Sequence, residues 1–565
     1  MGKVLVTSAL PYANGRVHLG HLAGAYLPSD TYVRWRRLKG DDVVYVCGSD
    51  EHGVPITLSA LKNKTTPQDV VDEYHVANGG AFASALVHFD IWGRTSSAEH
   101  HRLTQEFFKV LHAKSYIEKR GSEQYYSERS RMFLPDRYVE GVCPRCNADG
   151  ARGDQCDACG GTYDVTELKQ PRCALPGDDS TPVLKTTNHW YLKLEAFQAR
   201  LEEYVASHEA AGPGAWRLNT LRGAEGWLKA GLRARCITRD TEWGVRIPLD
   251  DAEVASKRLY VWFDAPIGYV TFTQQLFAQR GDPEGWREYW QNPDCPIYNF
   301  IGKDNIPFHC ITWPAMELGY NDGREGGERP YRLATQVVAN EFLTFGGEKG
   351  SKSKGNAVEI ADFVRQHGAD PLRYYLTAIA PEDSDSNFTW EDFRHRYNGE
   401  LADVLGNFAH RTFTFTHKYF EGRVPEGKPA GPAEAKLRAA AEAARAAWAG
   451  ALDGFRFKNA LAAVIDLARE GNRYFDEKAP WKQRKDDPEA CGATLRACLE
   501  TAGALGLGLR PFLPESSARL LATFNLSDKE SFAAGSALRD ARDFAKPGAT
   551  LAKPEVLFKK IEAEA

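Results

Sequence analysis

The stretch KVLVTSALPYANGRVHLGH, residues 3–21, constrains the fold more than any other. Val4, Leu5, Val6 and Thr7 form a short apolar, β-branched run that reads as a buried strand. Pro11 and the pair Asn14-Gly15 end it in a turn. His18-Leu19-Gly20-His21 then opens a segment that reads as helix to about Lys39. A helix start after a parallel-type strand offers free N–H groups and the positive end of the helix dipole, a seat for phosphate. Gly20 lets a nucleotide approach the backbone, and His18 and His21 add side-chain donors on the same side. The fold class expected is α/β, a doubly wound parallel (Rossmann-like) nucleotide-binding domain.

Read alone, HLGH fits two capping histidines with no ligand. It gains meaning from KGSKSKGN at 349–356, where Lys349, Lys352 and Lys354 stand among glycine and serine without an apolar anchor. Together the two strings read as two clamps on one triphosphate.

With these residues in place, ALPYANGRVHLGH and KGSKS resemble the paired signatures of class I aminoacyl-tRNA synthetases, and within them the methionyl-tRNA synthetase family. Gly350 stands where the family pattern KMSKS has methionine, while both lysines remain. The resemblance implies a ligase that activates L-methionine with ATP and transfers it to the terminal adenosine of tRNA(Met), initiator tRNA included. It assigns ATP to His18, Gly20, His21 and Lys352, with Lys349 in support and Mg²⁺ accompanying the nucleotide.

At 565 residues the chain is too long for one core. A net charge of −5 leaves tRNA binding to local basic patches. No apolar run reaches the roughly 18–20 residues of a membrane span. MGKVLVTSAL lacks a signal-peptide pattern. Eleven mostly isolated cysteines argue for a reducing compartment, so cytoplasm is expected.

VVYVCGSDEHG at 43–53 reads as a second buried strand that delivers Asp50, Glu51 and His52 to its carboxyl end, where ligands of open α/β sheets bind. Asp50 also fits a helix cap; the resemblance makes it the holder of the substrate's α-amino group. LYVWF at 259–263 reads as a strand leading into DAPIGYV, and YNFIGKDNIPFH at 298–309 as a strand and polar turn. With the first turn they supply Leu10, Tyr12, Trp262, Ala265, Pro266, Tyr269 and His309, placed at strand ends or in turns. Aromatic edges suit a thioether, and the resemblance makes this group the methionine pocket. Arg239 is similar to a family arginine beside the aspartate.

Cys143-Pro-Arg-Cys146 and Cys156-Asp-Ala-Cys159 have the spacing of tetrahedral thiolate ligation, one structural Zn²⁺ with no open position. From about 391 the pattern is helical to the 520s and reads as a helix bundle. The resemblance gives the bundle the anticodon, with Asn407, Arg411 and Trp481 as its contacts. The domains expected are 1–115 and 231–330 as the two halves of the catalytic domain and 116–230 as a connective insertion with the zinc knuckle. They continue with 331–390 as the lysine-loop linking domain, 391–540 as the anticodon-binding bundle and 541–565 as a tail packing back. No further tRNA-binding or dimerisation module is read, and the expected state is a monomer. The rivals are an HxGH nucleotidyltransferase that makes an adenylated cofactor, a non-catalytic RNA-binding protein and another class I synthetase.

Overall fold

The computed structural model describes residues 2–134, 138–153, 156, 158–159, 163–175, 177–209, 215–323, 329–349, 357–526 and 540–562. Its centre is a five-stranded sheet of β1 (Lys3–Ser8), β2 (Asp42–Ser49), β3 (Ile91–Arg94), β4 (Ile297–Gly302) and β5 (Gln336–Asn340). The order is β5-β4-β1-β2-β3 and every pairing is parallel. Val4 and Val6 feed one hydrophobic layer and Leu5 the other. A strand covered on both faces must be apolar at consecutive positions, which is why this run does not alternate. β1 lies between β2 and β4, so the chain departs to one side and returns on the other. The crevice of such a sheet opens at the carboxyl ends of its central strands.

After β1, the turn α1 (Leu19–His21) runs through a π-helical turn at Leu22–Tyr26 into α2 (Leu27–Lys39). Between β3 and β4 the chain builds an antiparallel sheet on Ile117–Ser127 and Val183–Leu192. Beside it, Val139–Val142, Ala151–Arg152 and Lys169–Cys173 form a small sheet with its own core. Helices Gln198–Ala206 and Leu218–Lys229 return to the parallel sheet, where Leu201 and Leu221 share a core with Leu5 and Val46.

The run 259–263 is not a strand throughout. Strand Lys257–Leu259 stops opposite Thr238, where its antiparallel partner Thr238–Asp240 begins, and Val261–Asp264 closes a helical turn. With no neighbouring strand left, the backbone bonds locally: Ala265 N–H donates to Val261 C=O at 2.8 Å. A short apolar run cannot reveal this from periodicity alone.

Beyond β5, β6 (Leu343–Phe345) pairs with Glu348–Lys349 and with Ser386–Phe388. Helix Ile360–His367 stops at Gly368, and α3 (Ala369–Ala378) follows. The C-terminal part packs α4 (Asn407–Tyr419), α5 (Pro432–Asp453), α6 (Phe457–Lys478), α7 (Pro480–Asp486) and α8 (Pro488–Leu509), with α8 buried along most of its length. Phe558 packs into the same core, and Asn398 exchanges two hydrogen bonds with the backbone of Ile561. The buried guanidinium of Arg373, on α3, ties the layers together. It donates to Phe512 C=O at 2.7 Å, Pro511 C=O at 3.0 Å and Ala85 C=O at 3.2 Å. It also pairs with Asp30 of α2 at 2.7 Å.

Candidate functional site

The HLGH turn is capped by its own rings. Gly20 N–H donates to His18 Nδ1 at 3.1 Å, and His18 N–H donates to His21 Nδ1 at 3.1 Å. An imidazole that accepts at Nδ1 is neutral and carries its proton on Nε2. Both rings therefore keep an N–H donor on the side away from the backbone. A Cβ on Gly20 would sit 2.9 Å from the His18 ring, so the glycine makes room for that capping ring.

Both flanks of the lysine string touch this turn. The Phe345 ring lies edge-on to His18 at 6.1 Å, four residues before Lys349. On the far side, Leu19 N–H donates to Val358 C=O at 3.0 Å, and His18 bridges to Glu359. The backbone of Lys349 pairs with Thr344 of β6. Gly350, Lys352 and Lys354 lie outside the described residues.

Asp50 follows β2 and is stitched to the first turn. Its N–H donates to Pro11 C=O at 2.9 Å, and Ala13 N–H donates to its C=O at 2.8 Å. The side chain is buried, and Oδ1 has no hydrogen-bond partner. Burial, then the charge of Asp264, pushes its pKa well above the ordinary carboxylate range. Such an oxygen lacks a cation or a donor. Glu51, also buried, is already committed, to Arg94 at 2.9 and 3.0 Å and to Ser49 at 2.6 Å. The Tyr12 hydroxyl donates to His52 C=O. Gly53, at φ 105°, adopts a conformation that side chains resist, and a Cβ there would strike that hydroxyl.

The aromatic residues lie on helices more than in turns. Tyr269 is in the first turns of helix Ile267–Gln279, begun by Pro266, and His309 is in the π-helical turn Phe308–Thr312. Both are buried, and the Tyr269 hydroxyl donates to His309 Nε2 at 2.9 Å while His309 Nδ1 donates to Asn305 C=O at 3.2 Å. Burial pushes His309 down to about 4, so the ring is neutral at physiological pH. Asp50 lies near enough for its charge to act on Tyr269, and Leu10 packs against Gly268. Trp262 is 44% exposed and packs on Phe308 at 4.3 Å between ring centroids. Ala265 joins the Val261–Asp264 turn to Pro266. Arg239 lies over the Tyr260 ring at 3.9 Å and donates to Thr238 C=O at 2.9 Å.

Sequence reasoning did not single out Asp264, whose charge acts on Asp50. It is fully buried within the DAPIGYV string, with Oδ1 unpaired and Oδ2 2.6 Å from His52 Nδ1. The available signal was a carboxylate beside Ala265 and Pro266, in a run otherwise apolar.

The Sγ atoms of Cys143, Cys146, Cys156 and Cys159 all lie within 4.8 Å of one another, a set that could hold a metal ion. The N–H groups of Arg145 and Cys146 point at Cys143 Sγ, at 3.4 and 3.5 Å. Zinc–thiolate bonds of about 2.3 Å place tetrahedral sulfurs about 3.8 Å apart. The Cys143–Cys159 and Cys146–Cys156 separations are 4.0 and 3.7 Å, so the donors fit such an ion.

In the bundle, Asn407 and Arg411 on α4 face one stretch of α6. Asn407 donates to Asn472 at 3.4 Å; Arg411 pairs with Asp476 at 2.6 Å and lies over the Phe475 ring at 4.4 Å. Trp481, 42% exposed, lies 6.2 Å from the same Phe475 ring. The three thus share one surface of the helix pair.

The family model described as tRNA synthetases class I (M) matches residues 4–413. The chain belongs to the methionyl-tRNA synthetase family. A second model, the anticodon binding domain of methionyl tRNA ligase, matches residues 424–565. The methionine–tRNA ligase of Chlorobium phaeobacteroides is 46% identical over 525 residues, 92% of this chain and 73% of its own. That of Pelodictyon phaeoclathratiforme is 43% identical over 567 residues, 99% of this chain and 79% of its own. Among solved structures, Mycobacterium tuberculosis methionyl-tRNA synthetase in complex with methionyl-adenylate superposes with a TM-score of 0.79 at 26% identity, covering 99% of this chain and 100% of that one. For this methionyl-tRNA synthetase the fold class expected from the sequence stands: a parallel-sheet domain, a cysteine-bearing insertion and a helical C-terminal domain. No described helix is long and apolar enough to cross a membrane.

Proposed function

We propose that this chain joins L-methionine to ATP, forming methionyl-adenylate and pyrophosphate, and then passes the methionyl group to the terminal adenosine of tRNA(Met), initiator tRNA included. The observation that carries this reading is the buried Asp50 carboxylate, with one oxygen uncommitted and its charge within reach of the buried Tyr269 ring. An α-ammonium supplies the cation that oxygen lacks, and the aromatic edges receive the thioether. The methionine carboxylate attacks the α-phosphate. The step needs alignment and charge neutralisation more than covalent help from the protein. His18 and His21 hold phosphate oxygens through their Nε2–H groups. Lys352, supported by Lys349, offsets charge on the departing pyrophosphate. Lys352 follows Lys349 by three residues, which span at most about 10 Å of extended chain, and Lys349 leaves from the strand pair that touches His18. Mg²⁺ with the ATP shares that charge. The terminal 2′-hydroxyl then attacks the activated carbonyl.

Asn407, Arg411 and Trp481 read the anticodon by base-edge bonds and stacking. The insertion places the acceptor end, held in shape by one Zn²⁺ on the four cysteines. The enzyme works as a cytoplasmic monomer.

ATP–pyrophosphate exchange against all twenty amino acids tests the reading. Exchange is expected with methionine alone, and exchange driven by another amino acid, or by none, overturns it. Lys352→Ala is expected to slow this exchange by roughly 10²–10³-fold, the effect of losing one preorganised charge-stabilising donor, about 2.7–4 kcal/mol. Its methionine dissociation constant should hardly change. Removing the metal separates the parts differently. Binding energy in a structural zinc site is folding energy. Cys146→Ser should therefore lose the one zinc seen by elemental analysis and loosen residues 138–175 to proteolysis. Adenylate formation should persist while tRNA charging falls.

A further inference from the structure

Close enough to Asp50 for the two charges to act on one another, the fold buries a second carboxyl that the proposed reaction leaves without a task. Asp264 Oδ2 lies 2.6 Å from His52 Nδ1, and His52 Nε2 lies 3.2 Å from His101 Nε2. Asp264 and His52 are buried, while His101 is half-buried and reaches toward solvent. Two ring nitrogens at hydrogen-bond distance share one proton, so one ring donates and the other accepts. The remaining oxygen of each carboxyl, Asp50 Oδ1 and Asp264 Oδ1, has no partner.

We propose that Asp264, His52 and His101 form a positioning relay that carries a proton between the buried Asp50–Asp264 pair and solvent, so that methionine binding releases a proton. The proposal rests on the reading of Asp50 as the ammonium holder. Two carboxylates in one buried site hold a proton between them, and a cation arriving there favours both as anions. With Asp264 protonated, its hydroxyl donates to His52 Nδ1, His52 Nε2–H donates to His101 Nε2, and His101 carries its proton on Nδ1. On ionisation the Asp264 O–H bond breaks and an N–H bond forms at His52 Nδ1. The His52 Nε2 proton passes to His101 Nε2, and the His101 Nδ1 proton leaves to water. Both rings end neutral in the opposite tautomer, and each hydrogen bond survives with its direction reversed.

The surroundings suit this exchange. Glu51 is neutralised by Arg94, with His75 3.6 Å beyond, and the Tyr12 hydroxyl is engaged by His52 C=O. The His100 ring, 6.4 Å from His52, is held by Thr271 and Thr104, and the Trp243 ring lies 6.0 Å from His52 on another side. Burial pushes His52 and His101 down to about 4, which keeps both rings neutral, and it raises both carboxyls.

The test is methionine affinity measured by calorimetry from pH 5.5 to 8, in buffers of different ionisation enthalpy. Wild type is expected to bind more tightly as pH rises, by up to about tenfold per unit, with matching proton release. Asp264→Asn should flatten the profile, because it removes one of the two titrating carboxyls. His52→Asn can offer Asp264 either an N–H or a C=O but passes no proton on to His101. Proton release on mixing with methionine, followed by stopped flow with a pH indicator, should therefore slow at least about tenfold in this variant, which decides the matter should Asp264→Asn not fold. A flat wild-type profile, or a wild-type release rate in His52→Asn, overturns the relay. A wild type that exchanges pyrophosphate with methionine yet binds it independently of pH loses only this inference. Absence of exchange refutes the underlying reading instead.

Discussion

Asp50→Ala is expected to abolish methionine recognition while leaving the empty protein at least as stable as wild type. The two halves of this expectation share one cause. In the unliganded chain the carboxyl is buried with one oxygen unpaired, and its pKa is raised. A carboxyl whose folded pKa exceeds its unfolded value opposes folding once pH passes the unfolded value, near 4. Removing it relieves that penalty at neutral pH. In the complex proposed above, the same carboxylate is the counter-ion of a desolvated ammonium. Deleting one partner of a buried charge pair costs about 3–5 kcal/mol, or roughly 10²–10³·⁵-fold in affinity. Calorimetry with methionine and a thermal melt without it decide the case. A methionine dissociation constant within threefold of wild type refutes the assignment. A large fall in melting temperature would make Asp50 a structural residue.

Arg373→Leu is expected to lower stability by about 3–5 kcal/mol, the cost of breaking a buried ion pair. The side chain is fully buried and binds four backbone carbonyls, of Ala85, Leu86, Pro511 and Phe512, besides Asp30. Those carbonyls come from the end of helix Pro67–Ser84 and from the link between α8 and helix Pro514–Ala522, so the substitution loosens the catalytic layer and the bundle together. Lysine cannot stand in, because one ammonium does not reproduce the planar fork. Asp30 loses one of its two arginines; Arg34 remains at 2.7 Å. Burial alone would raise the Asp30 pKa, but the two guanidiniums outweigh it and hold it below the ordinary value. Its contribution is therefore present above about pH 4 and lost as pH falls through the folded pKa. Urea unfolding followed by tryptophan fluorescence measures the change. A loss under about 1 kcal/mol would mean that these carbonyls find other donors.

What could be read in the sequence follows from what local patterns encode. The β1 run, the HLGH turn and the cysteine pairs are contiguous strings whose chemistry depends on spacing, and spacing is visible in one dimension. The place of Asp50, at the carboxyl end of a buried parallel strand, was legible because the apolar run before it marks that strand. The strand expected at 259–263 failed because its length depends on the partner Thr238–Asp240, which only three dimensions supply. Asp264 and His101 went unnoticed for a related reason: nothing local tells a carboxylate or an imidazole that it will meet His52 across the fold. Arg373, in ADPLRYYL, reads as one charged residue on an amphipathic helix, and only packing makes it a buried junction.

The imidazole caps of the HLGH turn carry one more consequence. Acid that charges either ring turns its Nδ1 acceptor into a donor facing the N–H it had satisfied. That helix end would then fray, and the triphosphate seat proposed there would lose its shape. If the nucleotide sits there, acid should unwind this corner of the molecule and release its ligand in a single event.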